Sequence, residues 1–242
     1  MKNVFTAILV LLALVAQSSL ATSYRIFIDG HRVGNYNHIM DWLRPGDVVC
    51  LDATTCYNVC NAWSGNTTKI IDICNGTVLR VPLKIGEFRN GHSYKSYIRS
   101  YYDGYAILSG TIRVPRMDQV RSIRNQYLIV ERINTLYDLG DFVTSSGGAA
   151  YLSQSQRDQV YQGLLQFARA AAVYSKIGDF HTKQLRWTGA EWVLLDWIND
   201  TAYARSPSDT TVWTNMYGLP ENWKPGLVDV TRSARCQGRL IR

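Results

Sequence analysis

The stretch KIIDICNGTVLRVPL, residues 69–83, carries the strongest short-range hairpin signal in the chain. Two runs rich in β-branched residues meet at Asn75-Gly76. An Asn-Gly pair between such runs favours the tight turn whose twist matches two antiparallel strands. A hairpin fixed here must bury at least one face, and the neighbouring segments supply partners. GTIRVPRM (110–117) and NQYLIVERI (125–133) read as further strands. Before them, HSYKSYIRSYYDGYAIL (92–108) places Tyr94, Tyr97, Ile98, Tyr101, Tyr105 and Leu108 at helical spacing, which predicts an amphipathic helix. Upstream, SYRIFIDGHRVG (23–34) alternates Tyr24, Ile26 and Ile28 ahead of Asp29-Gly30 and predicts a hairpin. NHIMDWLRPGDVVCLD (37–52) predicts a short helix stopped by Pro45-Gly46, then a strand. The first half is mostly sheet with one inserted helix.

The second half opens with a polar, glycine-containing connection, TSSGGAAYLS (144–153). Ser153 and Gln156 then form a capping box. Behind it Val160, Leu164, Phe167, Ala171 and Tyr174 recur at helical spacing, the stripe of a long buried helix that runs to Gly178. GDFHTKQLRWTGAEWVLLDW (178–197) follows: Leu185 to Trp187, a turn at Thr188-Gly189-Ala190, and Trp192 to Leu195, with Asp179 before the hairpin and Asp196 at its end. The remaining tail is rich in Trp, Tyr and Pro and carries no assignable element.

Composition narrows the setting. The hydrophobic share of 46% and charged share of 19% are those of a globular chain, not a disordered one. A net charge of +7 favours anionic ligands, but Lys and Arg are scattered and no dense basic run points to nucleic acid. Lys2, the apolar run VFTAILVLLALVA, and the small residues Ser19 and Ala21 make residues 1–21 an expected export signal, cut after Ala21. No later segment is apolar enough to span a bilayer, so no stable membrane insertion is expected after cleavage. Cys50, Cys56, Cys60 and Cys74 can form two disulfides in an oxidising compartment, with three pairings open, leaving Cys236 free or intermolecular. A zinc site is disfavoured, because no CxxC pair or nearby histidine completes a ligand set.

The order of these pieces over residues 63–197 resembles the protein-kinase-like superfamily, including its aminoglycoside and choline kinase branch. The resemblance implies an α+β, two-lobed fold: a β-rich N-lobe with one helix (22–133) and a reduced, mostly helical C-lobe (134–242). GDFHTKQL resembles the kinase catalytic loop. Asp179 stands for the aspartate that orients the acceptor hydroxyl, and Gln184 for the metal-binding Asn. Ile177 and Gly178 replace the family's His and Arg. VLLDW resembles the segment of the second, metal-binding aspartate, here Asp196, with Trp197 following it. WSGNTTKI would be the phosphate-covering loop, with Gly65, Asn66, Thr67 and Thr68 as donors. Arg80 falls at the position of the phosphate-pairing lysine, with Lys84 as second candidate. The family's helix glutamate is absent, and Asp103 rather than Glu87 is the expected carboxylate partner. Val130 would be the gatekeeper, and Glu131 to Ile133 would lend backbone groups to adenine.

The function implied is an exported ATP- and Mg²⁺-dependent phosphotransferase, a protein Ser/Thr kinase acting as an effector or toxin. Its partners would be a nucleotide and a protein substrate, with no nucleic acid. The alternatives are a small-molecule kinase, a pseudokinase-like binding module, and an unrelated exported toxin. The toxin classes want a catalytic glutamate that the long helix lacks.

Overall fold

The computed structural model describes residues 26–27, 43–51, 54–65, 68–82, 87–88, 92–121, 127–142, 151–174, 177–178, 180–197 and 205–240. The export signal expected over 1–21, the hairpin at Asp29-Gly30 and the helix ahead of Pro45 lie outside them. Strand β1 (Ile26–Phe27) pairs in parallel with β2 (Val48–Cys50), which pairs antiparallel with β3 (Cys56–Asn58). β2 is the strand expected after Pro45-Gly46.

Next in sequence come β4 (Asn61–Ser64), β5 (Thr68–Asp72) and β6 (Thr77–Pro82). The Asn-Gly hairpin joins β5 to β6, with Ile71 opposite Leu79. Asn75 Oδ1 accepts bonds from the Thr77 amide at 3.1 Å and the Thr77 hydroxyl at 2.6 Å. Gly76 sits at φ 84°, where a Cβ would be strained. A short pair, β7 (Glu87–Phe88) and β8 (His92–Ser93), leads into helix α1 (Tyr94–Leu108). β9 (Met117–Arg121) and β10 (Leu128–Glu131) complete a five-stranded sheet of order β4-β5-β6-β10-β9, antiparallel throughout.

The alternation along β6 and β10 sorts side chains to two faces. Leu79, Val81 and Ile129 face back, packing with Val49, Leu51 and Val59 in a small core. Val78, Leu128 and Val130 face α1, meeting Ile98, Tyr101 and Leu108 in the main core. Only Met117 of the expected strand 110–117 is in strand. Pro115 lacks an amide donor. Ile112 and Val114 are drawn into the main core, and the Arg113 carbonyl accepts the Leu194 amide at 3.0 Å.

The second half begins at β11 (Tyr137–Asp138) and a 3-10 turn, Leu139–Phe142. Helix α2 (Gln154–Ala171) carries the expected capping box: the Ser153 hydroxyl accepts the Gln156 amide, and Gln156 Oε1 accepts the Ser153 amide at 2.9 Å. Its buried stripe is Val160, Leu164, Phe167 and Ala171, but the helix ends at Ala171, short of the expected Gly178. There the Tyr174 amide turns back to the Ala171 carbonyl, and the Tyr174 hydroxyl bonds the Thr111 hydroxyl at 2.7 Å.

A 3-10 turn, Thr182–Gln184, precedes the hairpin of β12 (Leu185–Trp187) and β13 (Trp192–Leu194), paired with Trp187 opposite Trp192. The tail, unassigned from sequence, forms α3 (Thr210–Asn215), capped by Asp209 at the Thr211 amide (2.9 Å), and α4 (Lys224–Leu240). α4 lies beside α2, where Tyr161 and Trp223 stack with ring centroids 5.1 Å apart. The fold is thus α+β, a small antiparallel sheet with one helix followed by a reduced helical half, in the order the resemblance implies. Among the described residues, no helix is long and apolar enough to cross a membrane.

Of the three pairings open from sequence, the structure holds Cys50–Cys56 and Cys60–Cys74, with Cys236 free and exposed. Cys60–Cys74 spans 14 residues and ties the start of β4 to the hairpin turn. Closing a loop of that length restricts the unfolded chain by about 3 kcal/mol. Replacing Cys60 and Cys74 together by serine should lower unfolding free energy by ~2–4 kcal/mol in urea titrations.

Candidate functional site

The site forms where the face of the sheet toward α1 meets the end of the β12–β13 hairpin. Arg80 projects from β6 on the same face as Val78, and its side chain is only 8% exposed. A buried guanidinium must find partners or its desolvation is uncompensated. It has three. Nη2 lies 3.4 Å from Asp196 Oδ1. Nη1 donates to the Leu195 carbonyl at 3.3 Å. The guanidinium carbon sits 3.9 Å from the centre of the Tyr101 ring, within cation–π range. Burial alone would lower the Arg80 pKa, but the charge of Asp196 and the contact with Tyr101 more than offset it, and the value is raised. Of the three guanidinium nitrogens, Nε alone has no partner among the described residues.

Tyr101 is the hub on the helix side. Its hydroxyl donates to the Leu195 carbonyl at 2.9 Å, and its carbonyl accepts Trp197 Nε1 at 3.1 Å. Its ring stacks on the Trp197 indole at 4.0 Å. Gly104, one turn on, makes this possible, because a Cβ there would overlap the indole. A glycine inside a helix costs about 1 kcal/mol relative to alanine, and the buried indole with its hydrogen bond outweighs that. Arg80, Tyr101 and Trp197 therefore form a layered stack, with Asp196 at its edge and 41% exposed.

Gln184 is tied to the hairpin end by its backbone. It is 6% exposed, its carbonyl accepts the Leu195 amide at 2.8 Å, and its side-chain Oε1 is buried without a partner among the described residues. An orphaned amide oxygen is a ligand type that suits an oxygen-seeking cation such as Mg²⁺. Gln184 and Asp196 are the described residues that could hold one. No group of three His, Cys, Asp or Glu ligands occurs among the described residues.

Asp179, Lys84, Asn66 and Thr67 lie outside the described residues. Their neighbours are well anchored. Phe180 is buried against Phe167 and Trp213, and its amide bonds the Arg205 carbonyl at 2.9 Å. The Gly65 amide donates to the Thr68 carbonyl at 2.8 Å, closing the β4–β5 turn over a buried Thr68. Val130 is buried in the main core.

The 131–133 segment is less open than expected. The Glu131 amide already donates to the Arg116 carbonyl and the Arg132 amide to the Gly76 carbonyl. The Ile133 amide is the one without a partner among the described residues. Burial would raise the Glu131 pKa, but bonds from Arg113 at 2.8 Å and the Arg116 amide at 2.9 Å prevail, and it lies below the ordinary value.

The carboxylate partner expected on the helix is not where sequence put it. Asp103 bridges Arg99 on its own helix at 3.5 Å, on the exposed side. It is two residues past Tyr101, and that offset turns it away from the buried face. The carboxylate on Arg80 is Asp196, and the helix contributes Tyr101. Sequence reading had placed Tyr101 in the apolar stripe alone. The signal was the combination of a buried-strand arginine with a following helix lacking glutamate, which demands another partner for the cation.

Two outcomes test this geometry. Gly104→Ala should expel Trp197, seen as red-shifted tryptophan emission and a loss of ~1–3 kcal/mol in stability. Burial pushes the Tyr101 phenol above its ordinary range; Arg80 opposes this and Asp196 reinforces it. The unfolded chain therefore releases this proton near pH ~10 while the folded chain keeps it, so stability falls as pH rises above about 10. Tyr101→Phe should lose less stability over that window in denaturation curves compared pH by pH.

No protein-family model and no curated protein matches the sequence. Among solved structures, the chain is similar to that of a gentamicin–APH(2")-IIa complex, at 10% identity and a TM-score of 0.48, covering 85% of this chain and 84% of that one. It is also similar to an apo pseudokinase at 13% identity and a TM-score of 0.40, covering 72% and 82%. A MAP kinase from Leishmania major is 11% identical with a TM-score of 0.39, covering 74% of this chain and 55% of that one.

Proposed function

We propose that the chain is an exported phosphotransferase that uses ATP with Mg²⁺. The observation that carries this reading is the meeting of Arg80 and Asp196 at 3.4 Å, at the end of the hairpin to which the Gln184 backbone is bonded. A buried permanent cation and a half-exposed carboxylate at one cleft suit a polyphosphate and its divalent ion. In this reading Arg80 pairs with phosphate oxygens. Asp196 and Gln184 hold the metal, which neutralises charge on the phosphates when bound. The Gly65–Thr68 turn covers the phosphates, Ile133 presents its amide to the base, and Asp179 orients the acceptor hydroxyl and takes its proton. Lys84, Asn66 and Thr67 keep the auxiliary roles implied by the resemblance. Catalysis then comes from positioning and electrostatics, as expected for phosphoryl transfer.

The two disulfides fit an oxidising compartment, which supports export. An effector or toxin role is the corresponding biological reading, with protein Ser/Thr phosphorylation as the activity expected from sequence.

A second reading, a nucleotide-binding module without transfer, is favoured by one observation: Asp196 is engaged by Arg80 itself, and Tyr101 stands in place of a helix carboxylate. Incubating the chain with γ-labelled ATP and Mg²⁺ and following phosphate release or transfer separates the two. Phosphotransfer is the expected result, and Asp196→Asn should reduce it at least ~100-fold while removing the thermal stabilisation by Mg·ATP. Stabilisation without turnover would establish the second reading, and no nucleotide effect at all would overturn both.

A further inference from the structure

A cavity of about 440 Å³ opens beside the catalytic-loop segment, between Phe180–Thr182 and helix α3. Its base is apolar, from Phe180, Val212 and Met216. Its walls are polar: His181, Thr182, Thr211 and Asn215 line it together with Arg205. Tyr217 stands at the margin, 95% exposed.

The charge balance of this lining is one-sided. Arg205 brings a guanidinium that forms no ion pair among the described residues, while its backbone carbonyl is clamped to the Phe180 amide at 2.9 Å. No Asp or Glu is among the described lining residues. Asp209, whose carboxylate caps the Thr211 amide at 2.9 Å, is not a lining residue. His181 accepts the Lys183 amide through Nδ1 at 3.2 Å, which leaves Nε2 for a ligand. A guanidinium with hydroxyl and amide groups around an apolar floor recognises a small polyol that carries a carboxylate or phosphate. A polycationic acceptor finds no counter-charge among these residues.

We infer that this cavity is the acceptor site, and that its substrate class is a small anionic polyol whose free hydroxyl is phosphorylated. The acceptor role rests on the phosphotransferase reading. The acceptor oxygen bonds to the γ-phosphorus as the bond from that phosphorus to the β–γ bridging oxygen breaks. The hydroxyl proton passes to the general base of the phosphotransferase reading, and the nucleoside diphosphate leaves. The anionic group is held by Arg205, away from the reacting hydroxyl.

Calorimetric titration of the full mature chain with glucose 6-phosphate, ribose 5-phosphate and gluconate, against neutral glucose and gentamicin, tests the inference. At least one anionic polyol should bind about tenfold or more tightly than glucose, the contribution of one charge-assisted contact, and the preference should shrink as salt rises. Arg205→Gln should erase that preference. Thr211→Trp, at an exposed position on the cavity wall, should block binding of all the polyols with the melting temperature unchanged. Equal affinity for charged and neutral polyols, no binding by any anionic one, or tighter binding of gentamicin would each overturn the assignment. If the anion preference holds but Mg·ATP gives no phosphorylated product, the phosphotransferase reading fails and the anion site stands alone. If Mg·ATP stabilises the chain through Asp196 but the preference is absent, this inference alone fails.

Discussion

One buried charge organises the molecule. Arg80 is placed by strand register under the sheet, where its guanidinium cannot be hydrated, and every close neighbour responds to that. The hairpin end supplies a carboxylate and a carbonyl, and the helix supplies an aromatic face. Removing any one partner would leave a desolvated cation short of compensation, which is a far larger penalty than losing an ordinary surface pair. The connection reaches across 116 positions of sequence, from Arg80 to Asp196, so it also sets how the sheet half lies on the helical half.

The helix contribution changes the electrostatics of the cleft. A carboxylate on α1 would hold the cation and leave Asp196 uncommitted. An aromatic ring attracts the cation but carries no net charge, so Asp196 answers to Arg80 in the absence of a ligand. In the proposed function, a divalent ion at Asp196 would compete with Arg80, and phosphate oxygens arriving at Arg80 would ease that competition. Under that proposal the two binding events would be coupled through one side chain, because Tyr101 stands on the buried face of α1 while Asp103 pairs with Arg99.

Much of the architecture was legible because it is local. The Asn-Gly turn, the tyrosine-rich helix, the capping box at Ser153 and the tryptophan hairpin each carry their own signal, and each is present. What stayed hidden depends on long-range partners. Residues 110–116 look like a strand, yet bury Ile112 and Val114 against the second half. Helix α2 stops at Ala171 because Tyr174 finds Thr111 far away in sequence. In the tail, α4 carries Pro225 and Gly226 in its first turn, which mask its start, and α3 is defined by its Asp209 cap and by Trp213, which fills the core beside Phe180. At the site, element order singles out Arg80 and Asp196, and the structure brings their side chains to 3.4 Å. The substitution of an aromatic ring for a helix carboxylate could not, since a tyrosine in an apolar stripe looks the same whether or not a cation lies on it.

The main core runs without a break from Val130 in the sheet, through Leu164 and Leu194, to Trp213 and Leu227 near the end of the chain. The two halves therefore share one interior and have no dry seam along which they could swing apart as separate jaws. The small cluster behind the sheet is a separate interior, and both disulfides staple the strands that enclose it.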